Sequence, residues 1–425
     1  MTIYVSPQGS DTNDGTSLGR ALRTPQLAAD RVNPGDTVLF ATGEYAIKTG
    51  QGVLVLTRSG AIGKPITFAS VPGHRPLFRS LGAWQAIKVQ GASHLVIQNL
   101  QLRGIAREIT LEEAQKESNN LGNPRTCGNG LNITDDKARK AFPMHIVVRG
   151  CDIRDFPGGG INAMHCDWIT LENNTVAGCG FWAPYANSNI SIYQPVDLDG
   201  ALGYKIIITG NVSFGSYNHI PFYYSNKDNP SKRKVTDGNG IILDDYSNSQ
   251  GFGGGTGKPY GGKTLVANNI VFDNGGSGIH VFRSMGVDIV HNFAQNNNCH
   301  PEISEGQIFA NSSKSVRILN NVLIAPTGKP VNNDYKNDST VLYDYNLYAV
   351  ADGSAPKFTR ELAHNLLAAP NLALSPKDWA SGKRTFTAAK DSPLRGAGMP
   401  FPELPTDFLG KPRNTKRPDI GPFQL

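Results

Sequence analysis

Apolar and polar residues alternate with a period of two in short runs along most of the chain, the pattern of strands that bury one face. Such runs occur at Thr37–Phe40, Val53–Leu56, Ile66–Phe68, Ile87–Val89 and Leu95–Ile97. After a subset of these runs an asparagine recurs: V-I-Q-N-L at Asn99, L-E-N-N-T-V at Asn174, I-T-G-N-V at Asn211, V-A-N-N-I-V at Asn269, I-V-H-N-F at Asn292, I-L-N-N-V at Asn321 and Y-D-Y-N-L-Y at Asn346. Cys151, in V-R-G-C-D-I, fills the same slot and predicts a small buried thiol there. From Cys151 to Asn174, and from Asn269 to Asn292, is 23 residues, whereas Asn211 to Asn269 is 58. The short steps predict single coils of a solenoid and the long steps predict coils that carry insertions. Asn tolerates the left-handed backbone of a sharp bend, and stacked amides hydrogen-bond along the stack.

A second column starts strands upstream of the asparagines: Gly160-Ile161, Asn189-Ile190, Gly240-Ile241, Gly278-Ile279 and Gln307-Ile308. Stacking the strands on their inward isoleucines predicts three further columns. The first outward column reads Asn162, Ser191, Ile242, His280, Ile308; the second Met164, Tyr193, Asp244, Phe282, Ala310; the corner His165, Gln194, Asp245, Arg283, Asn311. Extra residues follow Gln194 and Asp245, and a long approach, Tyr217 to Asp237, precedes Gly240. Stacking keeps core coils uniform, so loops that break uniformity on adjacent coils mark the wall of a groove.

Residues 1–36 read as an N-terminal cap, with Thr24 and Pro25 as N-cap and first position of a helix ending at Arg31. Residues 37–350 read as an all-β solenoid with insertions at 106–143, 180–204, 214–237 and 246–262, and a helical stretch at Glu108–Lys116. Residues 351–425 lose the period and read as an irregular tail on the last coils.

This pattern of short coils, asparagine ladder and capped start resembles the right-handed parallel β-helix family of carbohydrate-active proteins. The phrase D-G-N-G-I-I-L, Asp237 to Leu243, is similar to the D-G-N-G-F-K-L stretch of family 9 pectate lyases, whose lysine is the catalytic base. Ile242 stands in that lysine's place, so the resemblance implies a calcium-side carboxylate at Asp237 but carries over no base. It implies an acidic, uronate-containing polysaccharide as substrate, and an extracellular or periplasmic setting. The chain opens on a strand with no charged and apolar leader, so that setting requires a removed signal or another export route.

Composition narrows the picture. Only 18% of residues are charged and Gly numbers 47, which favours short strands and tight turns over helices. The 41 Lys and Arg against 35 Asp and Glu leave +6, compatible with an anionic ligand. No apolar run reaches membrane-spanning length, and no basic-aromatic stripe points to nucleic acid. The five cysteines follow no metal spacing. Gly257–Thr264 spells a P-loop, but a strand pattern follows where a helix is required. A capped, polar-ended solenoid predicts a monomer.

The stacked columns bring candidate chemistry together. For β-elimination, Arg283 would grip the uronate carboxylate, His280 would be the base, and Tyr193 or a tyrosine of the Tyr223-Tyr224 pair the acid. Asp244 and Asp245 join the catalytic set, and with Asp237 they form an oxygen-rich corner suited to Ca²⁺. That corner is not an EF-hand loop, because Ile241 occupies a ligand position. His165, Lys258, Lys263, Tyr223, Tyr224 and Trp182 are expected to contact sugar. The alternatives are a glycoside hydrolase working through Asp237, Asp244 and Asp245, and a non-catalytic sugar-binding or tailspike-like protein.

Overall fold

The computed structural model describes residues 1–251, 256–358 and 363–425. It is a parallel β-solenoid of three sheets: one of 11 strands from Thr2–Val5 to Val341–Asp344, a second of 9 from Leu54–Leu56 to Asp334–Tyr335, and a third of 11 from Gly43–Ile47 to Leu366–Leu367. Every pairing within these sheets is parallel, because each coil adds one strand to each sheet in turn. The inward isoleucines, valines and leucines of the three sheets form one continuous core.

The leading isoleucines stack as predicted, Ile161 on Ile190, Ile241, Ile279 and Ile308. The last coil corrects the columns by one residue: His280 neighbours Phe309, not Ile308, and Phe282 neighbours Asn311, not Ala310. The corner position is left-handed in these five coils, at His165, Gln194, Asp245, Arg283 and Ser312, with φ between 46° and 52°.

The asparagine ladder runs from Cys151 through Asn174, Asn211, Asn269, Asn292, Asn321 and Asn346 to Asn365. In each step a backbone N–H donates to the next amide Oδ1 at 2.8–3.0 Å. Each Nδ2 from Asn174 to Asn346 donates to a carbonyl of the strand before, so these buried amides are satisfied. Asn99 is a correction. It holds the left-handed position (φ 57°) that Gly150, Asn173 and Asn268 hold in other coils, and Leu100 takes the ladder slot. The bend is therefore made by the residue before the ladder asparagine, and the ladder residue supplies the hydrogen bonds.

The cap helix spans Pro25–Arg31 as predicted, although the Thr24 hydroxyl donates to Asp11 instead of capping it. The 106–143 segment is only partly an insertion: it holds the helix Leu111–Lys116 and then a regular strand of the second sheet, Asn129–Thr134. The tail runs back along the solenoid. Trp379, Ile420 and Phe423 cover Val212, Ile270, Phe293 and Val322 outside the third sheet, while Phe401 and Leu404 cover Leu265, Val290 and Leu319 outside the first.

Candidate functional site

The second sheet carries the outward columns expected to line the groove. Asn132, Asn162, Ser191, Ile242, His280 and Phe309 lie in one register column, and Met164, Tyr193, Asp244, Phe282 and Asn311 in the next. His280 is 7% exposed and stacks on Phe309 with ring centres 4.9 Å apart. Among the described residues, both its ring nitrogens and the Tyr193 hydroxyl lack a hydrogen-bond partner.

Two carboxyls bear on this imidazole, and a third, Asp244, stands opposite Phe282 on the adjacent strand. Asp237 enters from the turn before Ile241, in a left-handed conformation (φ 62°), and accepts from Asn239 Nδ2 at 3.1 Å. Asp244 ends its strand and accepts from Gln250 Nε2 at 2.9 Å. Glu305, which sequence reasoning missed, lies 3.9 Å from His280 Nδ1 and accepts from the Ser277 hydroxyl at 3.1 Å. Burial pushes Asp237 up to about 6, an effect that His280 opposes and Glu305 reinforces. Burial, then the charges of Asp237 and Asp245, hold Asp244 well above the usual carboxylate range against Gln250 and Arg283. Burial carries Glu305 up to about 7, and it pulls His280 down to about 4 against the charge of Asp237. The Tyr193 phenol is raised by burial and by Asp244 and Asp245. Arg283 is exposed at the groove edge, its guanidinium 5.1 Å from the Phe282 ring centre.

Several predicted residues lie elsewhere. Asp245 is fully buried, and its oxygens accept five hydrogen bonds, from Gln194, Ser247 Oγ, Ser249 N and Oγ, and Gln250 N. Burial would raise its carboxyl, but these donors hold it below the usual range. It is the organiser of a turn. His165 is 3% exposed, bridged by Nδ1 to Asp135 at 2.8 Å and by Nε2 to Gln194 at 3.4 Å, so its ring is held as a corner residue with both nitrogens occupied. Trp182 is 8% exposed; its Nε1 donates to the Ala106 carbonyl and its ring stacks on His219 beneath the 106–143 segment. Lys263 begins a strand of the first sheet, off the groove face. Lys258 is an exposed turn residue whose carbonyl accepts from Thr256, next to residues 252–255, which lie outside those described. Tyr223 and Tyr224 form a half-buried turn beside Arg233 and Lys227, and Tyr224 adds to the raised state of Tyr193. A separate cavity of about 640 Å³ near Thr37, Gln98 and Asp152, on the first and third sheets, contains none of these acids.

With this geometry in view, the relatives are informative. The model of the Pel9A-like right-handed β-helix region matches residues 3–155. The whole chain resembles the crystal structure of pectate lyase Pel9A at a TM-score of 0.57 and 15% identity, over 100% of this chain and 96% of that one. It resembles a rhamnogalacturonan lyase at a TM-score of 0.50 and 13% identity, over 89% and 92%. The uncharacterized protein YwoF of Bacillus subtilis (strain 168) is 41% identical over 66 residues, 16% of this chain and 13% of that relative's length. At such identities the structural likeness is one of fold. The fold is thus that of right-handed parallel β-helix carbohydrate-active proteins, and the matched 3–155 region ends before Tyr193, Asp237, Asp244, His280 and Glu305.

The calcium expected at Asp237, Asp244 and Asp245 meets a poor donor set. Both Asp245 oxygens are met by protein donors, and among the described residues Asp237 and Asp244 belong to no group of three converging His, Cys, Asp or Glu side chains. Among the described residues, the set that does converge is Asp167, Asp197 and Asp199. That set surrounds the fully buried Lys205 ammonium at 2.6, 2.7 and 2.6 Å, and the ammonium takes the place an ion would need. Burial works against the Lys205 charge, but the three carboxylates hold its pKa above the ordinary value. No helix among the described residues is long and apolar enough to cross a membrane.

Proposed function

We propose that this protein cleaves a uronate-containing polysaccharide by β-elimination, outside the cell or in the periplasm. The observation that carries the reading is His280, without a hydrogen-bond partner and beside Asp237 and Glu305, on an outward column of the second sheet whose adjoining corner bears the exposed Arg283. β-Elimination needs a base for the C5 proton, a donor for the leaving O4 and a positive group for the charge that develops on the carboxyl. Glu305, with a pKa of about 7, is poised for the base role near neutral pH, whereas His280 at about 4 is neutral there and is better suited to passing or orienting a proton. Asp244 or Tyr193 keeps its proton and serves as the acid. Arg283 supplies hydrogen bonds to the carboxyl. The likeness to a pectate lyase and a rhamnogalacturonan lyase supports this class of reaction.

Glycoside hydrolysis is the second reading, favoured by the protonated Asp244 beside the titrating Asp237 and Glu305. Incubation with a panel of uronate polysaccharides separates the two. Ultraviolet absorbance from a C4–C5 unsaturated end supports the lyase, new reducing ends without that absorbance support the hydrolase, and neither product from any polymer overturns both.

A further inference from the structure

The floor beside the acids is apolar. Ile242 is 4% exposed and Phe309 3% exposed, and both point outward with Phe282 on the strands where Asn132, Asn162 and Ser191 occupy the same face in earlier coils. Ile242 pairs directly with His280, and Phe309 stacks on its ring. Cations are scarce: the Arg283 guanidinium bears on Asp244, while no lysine or arginine stands among the main influences on Asp237 or Glu305. A free uronate carboxylate placed here would meet the two titrating acids, Asp237 and Glu305, and a hydrocarbon floor. Removing its C5 proton would also build a dianion, and among the described residues no three His, Cys, Asp or Glu side chains converge here to hold an ion that would neutralise it.

An ester reverses each of these penalties. It carries no charge, its alkyl group suits the floor, and proton loss creates a single negative charge that one guanidinium can meet. We propose that the sugar residue undergoing elimination enters this groove as an uncharged, esterified uronate. This rests on the β-elimination reading. In the step, Glu305 takes the C5 proton and the C5–H electron pair becomes the C4=C5 double bond. The C4–O4 bond breaks with its pair on O4, and Asp244 or Tyr193 delivers the proton that frees the shortened chain. Ile242 and Phe309 act as specificity residues, and Arg283 donates to the ester carbonyl.

The test uses each polymer of a uronan panel in two forms, the free acid and its methyl ester, with and without EDTA, and follows absorbance of the unsaturated product. The expected result is a wild-type rate at least about tenfold higher on one or more esters than on the matched free acid, and insensitive to EDTA. Ile242→Lys, which places an ammonium on the floor, is expected to lower the ester-to-acid ratio. A faster rate on the free acids, or loss of activity with EDTA, overturns the ester assignment and leaves the lyase standing. Absence of unsaturated product from both forms of every polymer overturns the lyase reading itself.

Discussion

Lys205 offers a sharp test of how the solenoid balances its buried charge. Its ammonium and the Asp167 side chain are both fully buried and 2.6 Å apart, with Tyr260 Oη donating to the same carboxylate at 2.7 Å. Lys205→Met keeps most of the stem volume but removes the charge, leaving the Asp167 carboxylate inside the protein without its cation. Breaking a buried pair this way costs about 3–5 kcal/mol, far more than losing an exposed one. Urea unfolding followed by circular dichroism at neutral pH measures the loss. A loss below about 1 kcal/mol would refute the claim that the ammonium balances this cluster. The same geometry predicts a gain of function. Lys205→Ala vacates the point where the Asp167, Asp197 and Asp199 oxygens converge, so a hard divalent ion can take it. Calcium at about 100 times its Kd should restore about 2.7 kcal/mol to Lys205→Ala. Equal stabilisation of the wild type by calcium would show that Nζ does not stand where the ion binds.

Other consequences follow from the same contacts. Asn292→Ala removes the acceptor of the Asn269 N–H and Nδ2 and the donor to the Val266 carbonyl, so urea unfolding should show a loss of about 2–4 kcal/mol. Asp245→Asn should lower stability while the folded enzyme keeps near-wild-type kcat, because Asp245 orders a turn; a kcat collapse in well-folded protein would return it to the chemistry. Glu305→Gln should lower kcat about 10²–10⁴-fold and remove the rise of activity as pH climbs through about 7, read from pH–rate profiles on both variants. The stability sign is opposite. The folded-state pKa of Glu305 lies above the ordinary 4.5, so its contribution is complete below 4.5 and is lost as pH rises through about 7. Glu305→Gln, always neutral, should therefore shrink the fall in Tm between those two pH values.

The fold was legible because a strand's period is two and a slipped register would turn a whole face outward. Ile161, Ile190, Ile241 and Ile279 could stack in only one way, and they did. Asn99 misled because Asn serves two purposes at that corner, a left-handed bend and an amide ladder, and only neighbouring coils reveal which. The site was half legible. Asp244, His280, Arg283 and Tyr193 follow from the columns and Asp237 from the D-G-N-G-I-I-L phrase, whereas Glu305 lies in the irregular H-P-E-I-S-E-G segment before Gln307, where no period applies. Its signal was available: two glutamates in a short segment that feeds the Gly-Ile column beside Asp237. His165, Trp182 and Asp245 failed for the converse reason. Their residue types suit chemistry, but distant partners occupy His165 and Trp182, and Asp245 is taken up by its own turn together with Gln194.

The buried acids of this protein differ in what meets them. Asp167, Asp197 and Asp199 share one ammonium; Asp288 receives Arg317 and the Tyr204 hydroxyl; Asp245 collects five donors. Asp237, Asp244 and Glu305 meet neutral amide or hydroxyl donors, and burial lifts all three above the ordinary carboxylate range. A solenoid that pairs its acids so thoroughly elsewhere gains no stability from leaving three poorly matched in one groove. Uncompensated burial of this kind is retained where it tunes proton transfer. The apolar floor gives the same indication. Ile242 and Phe309 flank His280, the neighbour of the buried Glu305, so on the proposed reading the residues that would select an uncharged substrate would also help to prepare the base. Ile242→Asn should then lower the pH at which activity rises as well as the preference for esters, and a profile that shifts in one respect alone would separate the two roles.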